Sequence, residues 1–246
     1  MRKLFISLLL LCALLAPVMG ARSFNGTSDA MSAASVDLSG VNKITLVFWL
    51  YWDSFTNNDD LAMEFTANFS ASTGGFYLDP NSSTSGTFEL GLKGDVGIYS
   101  GHFPRPSAAA WHHYAIVFDK SQTVEIGAVY VDGASQTVTP ISTNDNTNNF
   151  ASSTLYFMSR NASTLFGAGR MADAAIYPGI VFSADDINAL AKGASPRMVR
   201  LTAKPYYWSI LGRASPEPEL FYGATAALTG TSQVEHPRIF YPHTSR

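Results

Sequence analysis

The residue types that can do chemistry are all present in this chain, but few fall into a catalytic pattern. Glycoside hydrolysis needs two carboxylates facing each other across a cleft, about 5–5.5 Å apart for retention or roughly 6.5–9.5 Å for inversion. After residue 20 the glutamates are Glu64, Glu89, Glu125, Glu217, Glu219 and Glu235. Glu217 and Glu219 fall in the run Pro216-Glu217-Pro218-Glu219, and none of the others stands in an acid-x-acid pattern that would set two acids on one face of a strand. The pair His112-His113 invites a zinc reading, yet neighbouring residues on a strand project to opposite faces and do not easily share one ion. A structural role in a hairpin is the expectation for both, and no acid can be assigned to His102. There is no Gly-x-Ser-x-Gly elbow, phosphate-cradling glycine loop or dinucleotide fingerprint. The chain is therefore expected not to be an enzyme. For binding, Tyr99, His102 and Phe103 read as an exposed ligand-binding group that could stack on a sugar ring, because the stretch Gly97 to Pro106 reads as a glycine-containing loop. Trp49, Trp52 and Trp111 lie in strand-like runs and read as core.

The elements that must carry these residues follow from composition and pattern. Of 246 residues, 46% are hydrophobic and 13% aromatic, while only 14% are charged. An aromatic chain rich in Thr, Ser, Asn and Gly and poor in Lys and Glu points to an all-β globular domain. Net charge is −3, and removal of Arg2 and Lys3 with the first 20 residues leaves 14 basic against 19 acidic residues. That balance argues against nucleic acid and against anionic lipid as partners.

Met1-Arg2-Lys3, the apolar run Leu4 to Ala16, and the small residues Val18 and Gly20 have the anatomy of a secretory signal peptide over residues 1–20. The run is shorter than a membrane span. The expected location is secreted or cell-surface, with no stable membrane insertion after cleavage. Cys12, the single cysteine, lies in that segment, so the exported chain can form no disulfide within itself. Four Asn-x-Ser/Thr sequons, at Asn25, Asn68, Asn81 and Asn161, matter only in a eukaryotic secretory pathway.

Residues 44–52 read ITLVFWLYW, apolar on both faces, which predicts a central strand covered on both sides. Further strands are predicted over 61–69, 76–78, 87–92, 111–119, 124–131, 136–139, 154–159 and 169–177. A turn is expected at Asp132-Gly133. Ser183 with Asp186 forms a capping box that opens a short helix near residues 184–192, ended by Gly193 and Pro196 and placed at one edge of a sheet. In the tail, Tyr206 to Leu211 and Ala226 to Thr229 are strand-like.

Three segments in order resemble the laminin-G-like, concanavalin A-like lectin and glucanase jelly-roll superfamily. The first is FNGTSDAMSAASVDLSGVNKITLVFWLYW (24–52), the second WHHYAIVFD with VEIGAVYVDG (111–133), and the third GRMADAAIYPGIVFSADDINALAKG (169–193). The resemblance covers residues 22–193. It implies a two-sheet antiparallel β-sandwich over residues 21–195, with residues 196–246 as a C-terminal extension that packs on or completes it. Laminarinase-type members carry Glu-x-Asp-x-x-Glu on one strand, a pattern absent here. Related jelly rolls hold a calcium at the sandwich rim. Asp29 and Asp173 match positions where such proteins have acids, although Ala172 replaces a frequent Asp. Asp59 and Asp60 are the other option for a calcium site.

The functional expectation is a non-catalytic exported module that binds carbohydrate or a surface protein through loops at the sandwich rim. The alternative is a structural, adhesion or phage-particle decoration module without a small ligand.

Overall fold

The computed structural model describes residues 21–193, 206–208 and 228–231. Two antiparallel sheets pack face to face. Their strands are β1 (Arg22–Asn25), β2 (Ala30–Asp37), β3 (Lys43–Trp52), β4 (Met63–Phe65), β5 (Phe76–Asp79), β6 (Thr87–Lys93), β7 (Ile98–Pro104) and β8 (Trp111–Asp119). They continue with β9 (Ile126–Val131), β10 (Ala134–Gln136), β11 (Thr139–Thr143), β12 (Ser152–Phe157), β13 (Ala168–Pro178), β14 (Tyr206–Trp208) and β15 (Leu228–Thr231). One sheet has the order β1-β13-β3-β8-β9-β10, with β14 also on β13; the other has the order β11-β7-β6-β5-β4-β12-β2-β15.

The period-two alternation of the strands builds the core. Leu46, Phe48, Leu50, Tyr114, Ile116 and Phe118 of the first sheet meet Phe65, Phe76, Leu78, Phe88, Leu90 and Phe157 of the second. Large aromatic side chains interlock there, with Phe48 stacked on Tyr114 and Phe88 on Phe103. The predicted central strand is β3, whose second apolar face is covered at Thr45 and Val47 but half-exposed at Trp49 and Tyr51; of the tryptophans read as core, Trp52 is buried while Trp49 and Trp111 are half-exposed on the outer face. Val47, Ala115, Ala175 and Tyr177 form a smaller cluster with Phe182, Ile187 and Leu190. The last two belong to the helix α1 (Ala184–Ala191), whose capping box is complete: Ser183 Oγ accepts from Asp186 N, and Asp186 accepts from Ser183 N. The helix therefore lies on the outer face of the seven-stranded sheet, not at an edge, because its apolar stripe has a matching apolar surface only there.

The hairpin turn at Asp132-Gly133 has φ of 52° and 81°, the left-handed pair of a type I′ turn. The predicted strand over 61–69 is only three residues long, and its second half becomes a 3-10 turn at Phe69–Ala71 capped by Asn68. Two pieces of the tail add strands. Tyr206–Trp208 pairs with β13 and Leu228–Thr231 with β2, and Trp208 packs its ring edge-on against Phe157 in the core. Residues 1–20, expected to be a signal peptide, and the rest of the tail lie outside the described residues.

Candidate functional site

Because Phe76, Leu78, Phe88, Leu90, Tyr99 and Phe103 point into the core, the residues between them point outward from the eight-stranded sheet. Strand register puts Asp79 opposite Glu89, Glu89 opposite His102, and His102 opposite Thr139, a polar row across four strands. A second row sets Tyr156 opposite Glu64, Glu64 opposite Tyr77, Tyr77 opposite Gly91, and Gly91 opposite Ser100. Gly91 is required here: a Cβ would stand 2.8 Å from both the Tyr77 ring and Ser100. Its absence lets the Tyr77 ring lie across the sheet and donate its hydroxyl to Glu89 Oε1 at 2.5 Å, while Ser82 Oγ donates to Oε2 at 3.2 Å.

Two loops wall this face. Residues 53–60 form a strap pinned by one side chain, Asn81. Its Oδ1 accepts from Thr56 N and Asn57 N, and its Nδ2 donates to Thr56 Oγ1 and Asp60 Oδ2. Its backbone carbonyl accepts from Asn58 N and Asp59 N. Asn57 and Asp59 have φ of 55° and 57°, a region that Asn and Asp tolerate better than other side chains. Arg105 closes the strap from outside, donating to Asn57 Oδ1 at 2.7 Å with its guanidinium 3.9 Å over the Phe55 ring. The second wall carries Phe69, which packs on Tyr77 and donates its N–H to Glu64. Glu64 is fully buried and is held by Arg160 Nε at 2.8 Å.

Electrostatics distinguish the acids. Burial pushes the Asp79 carboxyl up to about 8, helped by the charges of Asp59, Glu89 and Asp60 and opposed by the N–H of Asn81. Asp79 is thus largely protonated at neutral pH. Burial also raises Asp60 and Glu64, the latter partly offset by Arg160. His102 Nδ1 and Arg105 Nη1, on the same face, are buried atoms without a hydrogen-bond partner.

Of the residues singled out from sequence, His102 lies on this face and Asp59 and Asp60 border it in the strap; the others land elsewhere. Gly97 to Pro106 is not an exposed loop but contains β7, and Tyr99 and Phe103 are buried core residues. The glycine that reads as a turn, Gly101, is a close-approach residue: a Cβ would meet Val138 at 2.6 Å. Only His102 reaches the outer face. Asp29 and Asp173 are not brought together. Asp29 accepts from Asn25 N, and Asn25 lies opposite Ala168, whereas Asp173 stands five positions further along β13, roughly 15 Å away. They do not fit one ion, and among the described residues no group of three His, Cys, Asp or Glu side chains is arranged to hold a metal. Asp59 and Asp60 belong instead to the strap. His112 and His113 are structural in the hairpin: His112 Nδ1 bonds Asp132 at 2.7 Å, and burial pushes His113 down to about 4. Asp79, Tyr77, Asn81 and Ser82 were not legible as a site, because only strand register joins them to Glu89.

The profile described as "Concanavalin A-like lectin/glucanases superfamily" matches residues 25–188. The chain belongs to that superfamily. No curated protein matches it by sequence. Among solved structures it is similar to a heptameric SAP-like pentraxin from Limulus polyphemus, at 14% identity and a TM-score of 0.52, over 78% of this chain and 93% of that one. It is also similar to the enzymatically active domain of tailspike protein 2 from bacteriophage CBA120, at 17% identity and a TM-score of 0.51, over 72% of this chain and 28% of that one. Identities this low show the shared sandwich alone. The superfamily's own name joins lectins to glucanases, so the chemistry has to be read from the site.

Proposed function

We propose that this protein is an exported, non-catalytic recognition module that binds neutral carbohydrate on the outer face of its eight-stranded sheet. The observation that carries this reading is the row Asp79, Glu89, His102, in which Glu89 is already oriented by Tyr77 and Ser82. Sugar hydroxyls are recognised by fixed acceptors and donors in a concave, partly desolvated setting, and the strap and Phe69 supply walls on two sides. Asp59, Asp60 and Glu89 outweigh Arg105 in this region, which disfavours anionic sugars. Binding is favoured over hydrolysis because Asp79 is only 3% exposed and both Glu89 oxygens already accept hydrogen bonds. A glycosidase needs both carboxyls free to reach the scissile bond. Export rests on the n-region, apolar run and small-residue site of residues 1–20. No described helix is long and apolar enough to cross a membrane.

The test is a glycan array with residues 21–246, followed by calorimetric titration of the hits. Binding to neutral glycans is expected, weakened at least tenfold in Glu89→Gln with an unchanged melting temperature, and with no turnover of bound polysaccharide. Equal binding by wild type and Glu89→Gln, or selective binding of sialylated glycans, overturns the reading.

A further inference from the structure

Where β8 ends and β6 turns into β7, a lysine is buried against an asparagine. Lys120 is 2% exposed. Its Nζ donates to Asn148 Oδ1 at 2.7 Å and to Asn149 O at 3.3 Å, and it lies 5.1 Å from the centroid of the Phe150 ring. Asn148 Oδ1 accepts a second hydrogen bond from Asp95 N at 3.1 Å, so this amide carbonyl is polarised by two donors. Glu125, fully buried, is held by Asn146 N and Asn146 Nδ2, and its charge is felt by Lys120. An amine hydrogen-bonded to an amide oxygen is within roughly 3–4 Å of the amide carbon, near-attack distance; here the lysine and Phe150 are buried while Asn148 is half-exposed.

We propose that Lys120 and Asn148 join in an intramolecular isopeptide bond. The neutral Lys120 amine attacks Asn148 Cγ, and negative charge developing on Oδ1 is met by the Asp95 N–H. The Cγ–Nδ2 bond then breaks, Nδ2 takes up the one proton lost from Nζ, and one ammonia leaves. Nothing is oxidised or reduced and no co-reactant is needed. Glu125 acts as a positioning acid that holds Asn146 and faces the lysine. Burial pushes Lys120 down to about 8, with Glu125 and Asp95 opposing, which favours the neutral amine that the attack needs. The bond ties the end of β8 in one sheet to the loop entering β12 in the other. A chain whose single cysteine is Cys12 has no disulfide to do this.

The test is the mass of the purified, folded chain 21–246 after incubation at pH 8–9, with tryptic mapping. The expected mass is one ammonia below that of the sequence. Trypsin should fail to cleave after Lys120, leaving residues 94–160 as one peptide lighter than its sequence by one ammonia, and further cleavage after Glu125 should leave the fragments holding Lys120 and Asn148 joined. Lys120→Arg keeps the cation and its hydrogen bonds but cannot form the amide. It should show the full sequence mass and melt roughly 10 °C lower. If Lys120→Arg does not fold, the wild-type map decides alone. Full mass in the wild type, deamidation of Asn148 without a link, or ammonia loss retained in Lys120→Arg overturns the proposal.

Discussion

The two sheets share one core but turn very different outer faces outward. The outer face of the seven-stranded sheet is closed by apolar contact, with Ile187 and Leu190 of α1 on Val47, Ala115 and Ala175. The outer face of the eight-stranded sheet is closed by hydrogen bonds, with Asn81 pinning the strap and Arg160 neutralising Glu64. The apolar closure is non-directional and covers only part of its face: beyond the helix, Trp49, Tyr51, Trp111 and Arg170 are half-exposed, with Arg170 over the Tyr51 ring. The polar closure leaves Glu89 and His102 half-exposed beside buried, ordered partners. The second face differs in carrying carboxylate acceptors already oriented by buried partners.

That contrast can be broken from either side. Arg160→Ala leaves Glu64 buried without its cation and should cost about 3–5 kcal/mol in urea unfolding. Adding Glu64→Gln should recover much of the loss, and an equal loss in the double variant would show that packing, not charge, holds this wall. On the apolar face, Ile187→Ala should cost about 2–5 kcal/mol while leaving glycan affinity unchanged, and a matching drop in affinity would mean that the two faces are coupled.

Asn81→Ala removes four side-chain hydrogen bonds from a buried hub. A loss of about 2–3 kcal/mol is expected, together with faster amide exchange confined to residues 53–60.

Asp79 gives the polar face a pH signature. Its carboxyl sits near 8 in the folded chain against an ordinary 3.8, so folding favours its protonated form. The stabilisation is full below about pH 4 and is lost as pH rises through 8. Asp79→Asn should flatten that decline, gaining roughly 1–3 kcal/mol on wild type between pH 5 and pH 8; parallel curves for the two proteins would refute the assignment. The smallest effect is expected from Ser183→Ala, which removes the helix cap at about 1 kcal/mol and should leave the polar face untouched.

Much of this architecture is legible in the chain. The doubly apolar run Ile44 to Trp52 identifies a central strand, covered on both sides over its first half, Asp132-Gly133 a hairpin, and Ser183 with Asp186 the start of a helix, because each is a local rule of backbone or side-chain chemistry. Gly97 and Gly101 mislead, since a glycine that permits close approach of a neighbouring strand has the same sequence signature as one in a turn. Asp29 and Asp173, chosen by resemblance, are separated by the register of β1 on β13.

What the sequence by itself determined is the alternation that makes two sheets, the helix with its cap, and the placing of the only cysteine outside the sandwich. What only the tertiary structure decided is which polar residues meet. Asp79 with Glu89 and His102 is a matter of register across strands, and Lys120 with Asn148 brings together residues of different sheets. Pairing of that kind depends on loop closure and core packing among residues distant in the chain, and no local pattern encodes it.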